Sequence, residues 1–112
     1  MKTVSDEFMR QMLSKTKQYS VVILKAGPNK GKNGIDYIIW EHGRRNFALR
    51  TDGVLPIVCA ISDGSDVSGV GIFNATVDET KEIMSEDPGV QAGVFVYEVH
   101  PGRSFPCDSL PE

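Results

Sequence analysis

His42 and Asp87 are the two residues of this sequence best suited to move a proton. His42 follows Ile35 by seven residues, Ile38 by four and Ile39 by three. On a helix that spacing places the imidazole on the same stripe as the isoleucines, against whatever the stripe packs on. A histidine there can serve as acid or base near neutral pH if a carboxylate fixes its tautomer. Asp87, at the end of a second predicted helix, is the carboxylate expected on the same side of a sheet. Both residues have plainer readings. A single histidine on an apolar stripe also fits a core-edge group hydrogen-bonded to backbone, and Asp-Pro is a routine helix terminator.

The residues around this pair offer further candidates. Arg44 and Arg45 adjoin His42 but point around the helix, so at most one reaches a pocket, and Arg45 is expected to be a substrate contact. Ala92 and Gly93 are small and would leave room beside Asp87, either for a ligand or for close helix packing. Trp40 and Phe47, a heptad apart, share an adjacent face and would line the pocket, a subunit contact or the core. The segment GPNKGKN at 27–33 follows a strand and precedes a helix, as a phosphate loop does. It fails that pattern, because three residues separate Gly27 from Gly31 and Asn33 stands where Ser or Thr would follow the lysine. What survives is that Lys30 and Lys32 could draw an anionic substrate to a pocket mouth, unless they are simply solvated.

Composition narrows the partners. The chain has 112 residues, 40% hydrophobic and 24% charged, with a formal net charge of −3, which fits one ordinary globular domain. Acidic and basic residues alternate without a basic stripe, so nucleic acid is not an expected partner. The opening segment carries a charge every few residues and lacks a signal peptide's apolar centre, and no run is long enough to span a membrane. Cys59 and Cys107 form no ligand cluster, and two histidines without metal-type spacing imply no bound metal. A reducing compartment, the cytoplasm by default, suits them. No cofactor motif is present. Asn74-Ala75-Thr76 matches a glycosylation acceptor but falls in a predicted strand.

The elements that must position these residues follow from pattern. Residues 5–16 read as an amphipathic helix capped by Ser5. Residues 19–25 form a β-branched strand, and 26–34 a loop. A main helix covers 35–52, with Gly53 placed to stop it. Two strands, 54–62 and 70–75, flank the turn DGSDVSG. Thr76 and Glu79 form a capping box that opens a helix running to about Glu86, stopped by Asp87-Pro88-Gly89. A last strand spans 91–99, and the Pro-rich tail is expected to lie extended on the surface. Residues 1–18 are therefore an N-terminal helical extension, 19–101 the domain and 102–112 the tail. The domain's order, strand-helix-strand-strand-helix-strand, predicts an α+β fold. It is a ferredoxin-like four-stranded antiparallel sheet with two helices on one face.

Strand patterning adds a prediction about assembly. In 19–25 Tyr19, Val21 and Ile23 oppose Val22 and Leu24, and the second and last strands are likewise apolar on both sides. Two helices cover one face only. A second copy pairing sheet to sheet would cover the other, giving a homodimer. The competing cover is the helix at 5–16, whose length of roughly 18 Å spans only part of a four-stranded face.

His42, followed eleven residues later by Gly53, together with D-P-G-V-Q-A-G-V at 87–94, resembles the YCII-related family of the dimeric α+β barrel superfamily. The similarity covers about Tyr19 to Pro101. It implies a dimeric α+β barrel in which His42 and Asp87 are the active-site pair. The family includes a dehydrochlorinase of chlorinated hydroxylated aromatics, and its fold is similar to that of muconolactone isomerases. Gly89 stands where that family often has an aromatic residue after Asp-Pro, which would open the pocket or remove a stacking wall. The helix at 5–16 and the Gly/Lys-rich loop also lie outside the family pattern.

Three functions are compatible with these residues. The first is a small lyase- or isomerase-like enzyme acting on a small cyclic or aromatic acid. In it His42 and Asp87 are catalytic, and Arg45, Gly89, Ala92 and Gly93 contact substrate. The second is a non-catalytic ligand-binding or sensing dimer using the same pocket. The third is a structural dimerisation module, which requires a filled interior with no room beside His42.

Overall fold

A computed structural model describes all 112 residues. The chain runs α1 (Asp6–Leu13), β1 (Lys17–Ala26), α2 (Asp36–Thr51), β2 (Ile57–Ala60), β3 (Val67–Phe73), α3 (Val77–Ser85), α4 (Pro88–Gln91) and β4 (Phe95–Ser104). Local chemistry sets most boundaries as expected. The Ser5 hydroxyl accepts from the Phe8 N–H at 3.1 Å. Thr76 and Glu79 complete a reciprocal capping box, and Gly53 takes a φ of +76° just beyond α2.

The four strands form one antiparallel sheet in the order β2-β3-β1-β4. This is the order that two interleaved crossover units generate, as expected for a ferredoxin-like arrangement. The register places Val22 opposite Gly71 and Val99, and Leu24 opposite Gly69 and Tyr97. Those residues share a face with Phe73, and on it the core gathers. Val22, Leu24, Leu55, Phe73, Met84, Val94 and Phe95 are buried together, with Ile35, Ile38 and Ile39 of the α2 segment and Ile83 of α3 packed against them. The helices after β1 therefore cover one face of the sheet.

The other face departs from the sequence reading in one strand. Val21, Ile23, Val70, Ile72 and Ile57 adjoin one another across β1, β3 and β2. On β4, however, Glu98 and His100 stand opposite Ile23 and Val21, so this face is apolar on three strands and mixed on the fourth, where Val96 shares it with Glu98 and His100. Helix α1 does not lie across it. None of the α1 residues is buried, and Phe8, Met9 and Leu13 are exposed. Its connection to β1 is short and fastened, because the Arg103 guanidinium donates to the Thr16 carbonyl and hydroxyl at 3.1–3.2 Å. The radius of gyration is 16.4 Å and the longest extent 55 Å, against about 13 Å of gyration radius for a compact domain of similar length. Helix α1 stands off the body.

Several further boundaries differ, among them β3, which begins at Val67 and ends at Phe73 where 70–75 was expected. Asp87-Pro88-Gly89 does not simply stop α3. Asp87 caps a new short helix, α4, with Pro88 at its first position, where a missing N–H costs nothing. Gln91 consequently belongs to α4 and not to the last strand. At the other end β4 continues through Pro101 to Ser104, so residues 102–104, expected in the tail, pair with β1 as far as Lys17. Val54 and Leu55 precede the second strand instead of joining it, and β2 keeps only four residues. No helix is long and apolar enough to cross a membrane.

Candidate active site

Helix α2 carries His42 on the stripe the sequence implies. Ile35, Ile38, Ile39, Asn46 and Leu49 are half-buried, and His42 is the one buried residue of the helix, 8% exposed. Asp87 comes from the α3–α4 junction and is 1% exposed. The two side chains meet. His42 Nδ1 lies 2.8 Å from Asp87 Oδ1 and 2.9 Å from Oδ2.

Asp87 is fully engaged. Its Oδ2 also accepts from the Gly89 and Val90 N–H groups at 2.9 and 3.1 Å, so one carboxylate both caps α4 and holds the imidazole. Burial by itself would raise the Asp87 carboxyl. The hydrogen bond and charge of His42, the Val90 N–H and the Arg45 guanidinium outweigh it and hold the group below its ordinary value of 3.8. The carboxylate is ionised across the physiological range and accepts the Nδ1 proton. On the other side of the ring, the Asn46 side-chain amide reaches Nε2 at 3.3 Å and can donate to it. This network assigns the proton to Nδ1 and leaves a lone pair on Nε2. Phe95 supports the ring, with centroids 4.7 Å apart and planes tilted by 44°.

A cavity of about 660 Å³ adjoins His42, between α2, the sheet and the 61–66 turn. His42 and Asn46 line it, together with Val22, Leu24, Leu55, Phe73 and Phe95. Gly69 and Gly71 of β3 also line it, with the Leu55 side chain packed 3.0 Å from where a Gly71 Cβ would stand. A cavity here is the opposite of the filled interior a purely structural module requires. A histidine of this tautomer beside an open volume can take a proton on Nε2 when a bound molecule displaces the 3.3 Å Asn46 N–H from that lone pair, and the Asp87 carboxylate stabilises the imidazolium that results.

The four residues expected to contact substrate do not line the cavity. Arg45 lies behind the pair, 3.9 Å from Asp87 Oδ1 and 4.0 Å from Glu86, where it supports the carboxylate. Gly89 is buried, and a Cβ there would stand 2.5 Å from the Phe95 ring and 3.0 Å from Asp87 Oδ2. Its lack of a side chain therefore lets Phe95 close over the pair and opens nothing. Ala92 caps the end of α4. Gly93, at φ +72°, lets the chain turn into β4 against Asn29, 2.7 Å from where its Cβ would be. Close packing accounts for both. Trp40 and Phe47 line neither this cavity nor the core. They are 67% and 70% exposed and flank a separate groove on the outer side of α2, with Gly43 between them.

Sequence reasoning passed over Asn46 and Phe95 as working parts of the site. Asn46 was visible as a polar residue four positions after His42 on an apolar stripe. Phe95 had no such signal, because only the α4 turn brings it under the imidazole. No group of three or more histidine, cysteine, aspartate or glutamate side chains is arranged to hold a metal ion. No protein-family model matches the chain, and no curated protein matches it.

Proposed function

We propose that this protein is a small acid–base enzyme of the YCII-related type, lyase- or isomerase-like, acting on a small cyclic or aromatic acid. The observation that carries the reading is the His42–Asp87 contact at 2.8 Å beside a cavity large enough for such a molecule. His42 Nε2 removes a proton from carbon. The electron pair left behind forms a double bond to the next carbon, either expelling a leaving group from it or displacing a double bond already there, whose far carbon takes the proton back from Nε2. Asp87 keeps Nδ1 protonated and balances the charge on the ring. The mainly apolar walls suit a ring-sized body.

A panel of small aromatic and alicyclic acids, chlorinated hydroxylated aromatics included, tests this when incubated with the protein and followed by mass spectrometry. One member is expected to be converted, and His42→Ala to slow that conversion about 10²- to 10⁴-fold with the fold retained. A ligand retained unchanged would favour the non-catalytic binding protein instead, and an unfolded His42→Ala would return the histidine to a core role.

The assembly belongs to the same proposal. The apolar strip of Val21, Ile23, Ile57, Val70 and Ile72 lies on the face without helices, and α1 does not cover it. A second copy pairing sheet to sheet would cover it, forming a homodimer. Native mass spectrometry is expected to show twice the 12.3 kDa chain mass and Ile23→Asp to return the monomer. A wild-type protein that stays monomeric at micromolar concentration overturns the dimer. Cys59 and Cys107 are both unpaired and exposed, which suits a reducing compartment such as the cytoplasm.

A further inference from the structure

The Gly/Lys-rich loop after β1 is held much more firmly than its composition implies. The Gly27 N–H donates to Val94 O and the Asn29 N–H to Gly93 O, both at 2.8 Å. The Asn29 side-chain amide donates to Ala92 O at 2.8 Å. The approach is so close that a Cβ on Gly27 would lie 2.4 Å from Gly93 O. These contacts fasten the loop to the segment joining α4 to β4, the same segment that follows Asp87.

The fastened loop aims one side chain into the cavity. Lys30 is the single cation among the lining residues. Its Nζ lies 4.7 Å from the centroid of the Phe95 ring, the ring that also supports His42, and 3.3 Å from Ser68 Oγ. It is half-buried and makes no ion pair. Lys25, Arg44 and Arg45 are paired with Glu98, Glu41 and the Glu86 and Asp87 carboxylates, and the cations left without an ion pair, such as Lys32, Arg50 and Lys81, do not line the cavity. Asp63, the one acidic residue of the cavity wall, sits on an exposed turn and accepts from the Ser65 N–H. An ammonium held against an aromatic ring, with a hydroxyl partner and no counter-ion, is a charge arranged for an incoming anion.

We infer that Lys30, with Ser68, is the anion subsite of the cavity. It takes the carboxylate of a ring-sized monocarboxylate whose apolar body lies along the Val22–Leu55–Phe73 wall with its reactive edge toward His42. Both ends of such a ligand are then fixed from one phenyl ring, since Lys30 and His42 each rest on Phe95. The assignment rests on the reading of the cavity as a small-acid site, and it is independent of chemistry at His42.

Calorimetric titration of the 112-residue protein with benzoate and with benzyl alcohol, its neutral counterpart, tests the subsite. Benzoate is expected to bind about tenfold or more tightly than the alcohol. Lys30→Gln is expected to abolish that preference, and Lys30→Arg to keep it. Lys32→Gln, on the same loop but outside the cavity, leaves it unchanged if the effect is local. Equal binding of the two probes by the wild type overturns the proposal. So does a preference that survives Lys30→Gln, a loss equal in Lys32→Gln, or no binding of benzoate at millimolar concentration. His42→Ala is expected to keep the preference. A carboxylate preference in a protein whose turnover is indifferent to His42 would retain the subsite and remove the acid–base reading.

Discussion

Asp87→Ala is expected to lower the stability of the fold by about 3 kcal/mol, roughly 10–20 °C in the thermal midpoint. The carboxylate it removes accepts from the Gly89 and Val90 N–H groups and from His42 Nδ1 in a site only 1% exposed. Truncation leaves three donors without partners and a helix without its cap. Asp87→Asn separates stability from chemistry. Its amide oxygen can still cap α4, so the loss is expected to be about 1 kcal/mol. Its NH₂ group, however, would face Nδ1–H, and the ring escapes that clash by moving its proton to Nε2. Turnover is then expected to fall about 10³- to 10⁴-fold. Urea denaturation and the imidazole ¹⁵N shifts read the two effects. An Asp87→Ala protein within 1 kcal/mol of wild type would contradict the network. The carboxyl also sets an acid dependence. Its folded value lies below the ordinary 3.8, so the unfolded chain binds the proton more readily than the folded one. The stabilisation is complete above pH 3.8 and disappears as pH falls through the lower folded value. Asp87→Asn is expected to lose that part of the acid limb.

Gly27→Ala is expected to cost about 2–4 kcal/mol, a large effect for one methyl group on a loop. The added carbon would meet Gly93 O at 2.4 Å, Gly93 C at 3.0 Å and Phe95 N at 3.0 Å. All three are backbone atoms, so no rotamer change relieves the contact. The loop must lift, breaking the hydrogen bonds of Gly27 and Asn29 to the α4–β4 segment and releasing Lys30 from the cavity. Gly31→Ala is the matched control. Nothing lies within 4 Å of its Cβ position, and its effect is expected to stay within about 0.5 kcal/mol. Hydrogen exchange at the Gly27 and Asn29 amides would report the lifting directly. Equal stability of the two variants would refute the fastening.

The His42–Asp87 meeting was legible because each partner is placed by a local rule. His42 follows the helical period of three isoleucines, and Asp87 follows the termination of α3. The α+β order and the capping residues at Ser5, Thr76 and Gly53 were legible for the same reason. What escaped were features created by contact between distant segments. The 26–34 segment reads as a plain loop in composition, and its fastening to 92–94 comes from hydrogen bonds across the fold. Gly89 looks like an opened pocket, yet the Phe95 ring occupies the space. Trp40 and Phe47 share a helical face, but period alone does not say which face meets the sheet. The α4 turn was hidden because Asp-Pro reads equally well as an end and as a beginning.

The cavity beside His42 has a thermodynamic corollary. It leaves hollow a part of the interior where a domain of this length would ordinarily keep packed side chains. Hydrophobic contact absent from the empty protein becomes available to a guest molecule, and the guest then stands in for missing core. Occupancy and melting temperature become linked quantities, rising together as RT ln(1 + [L]/Kd).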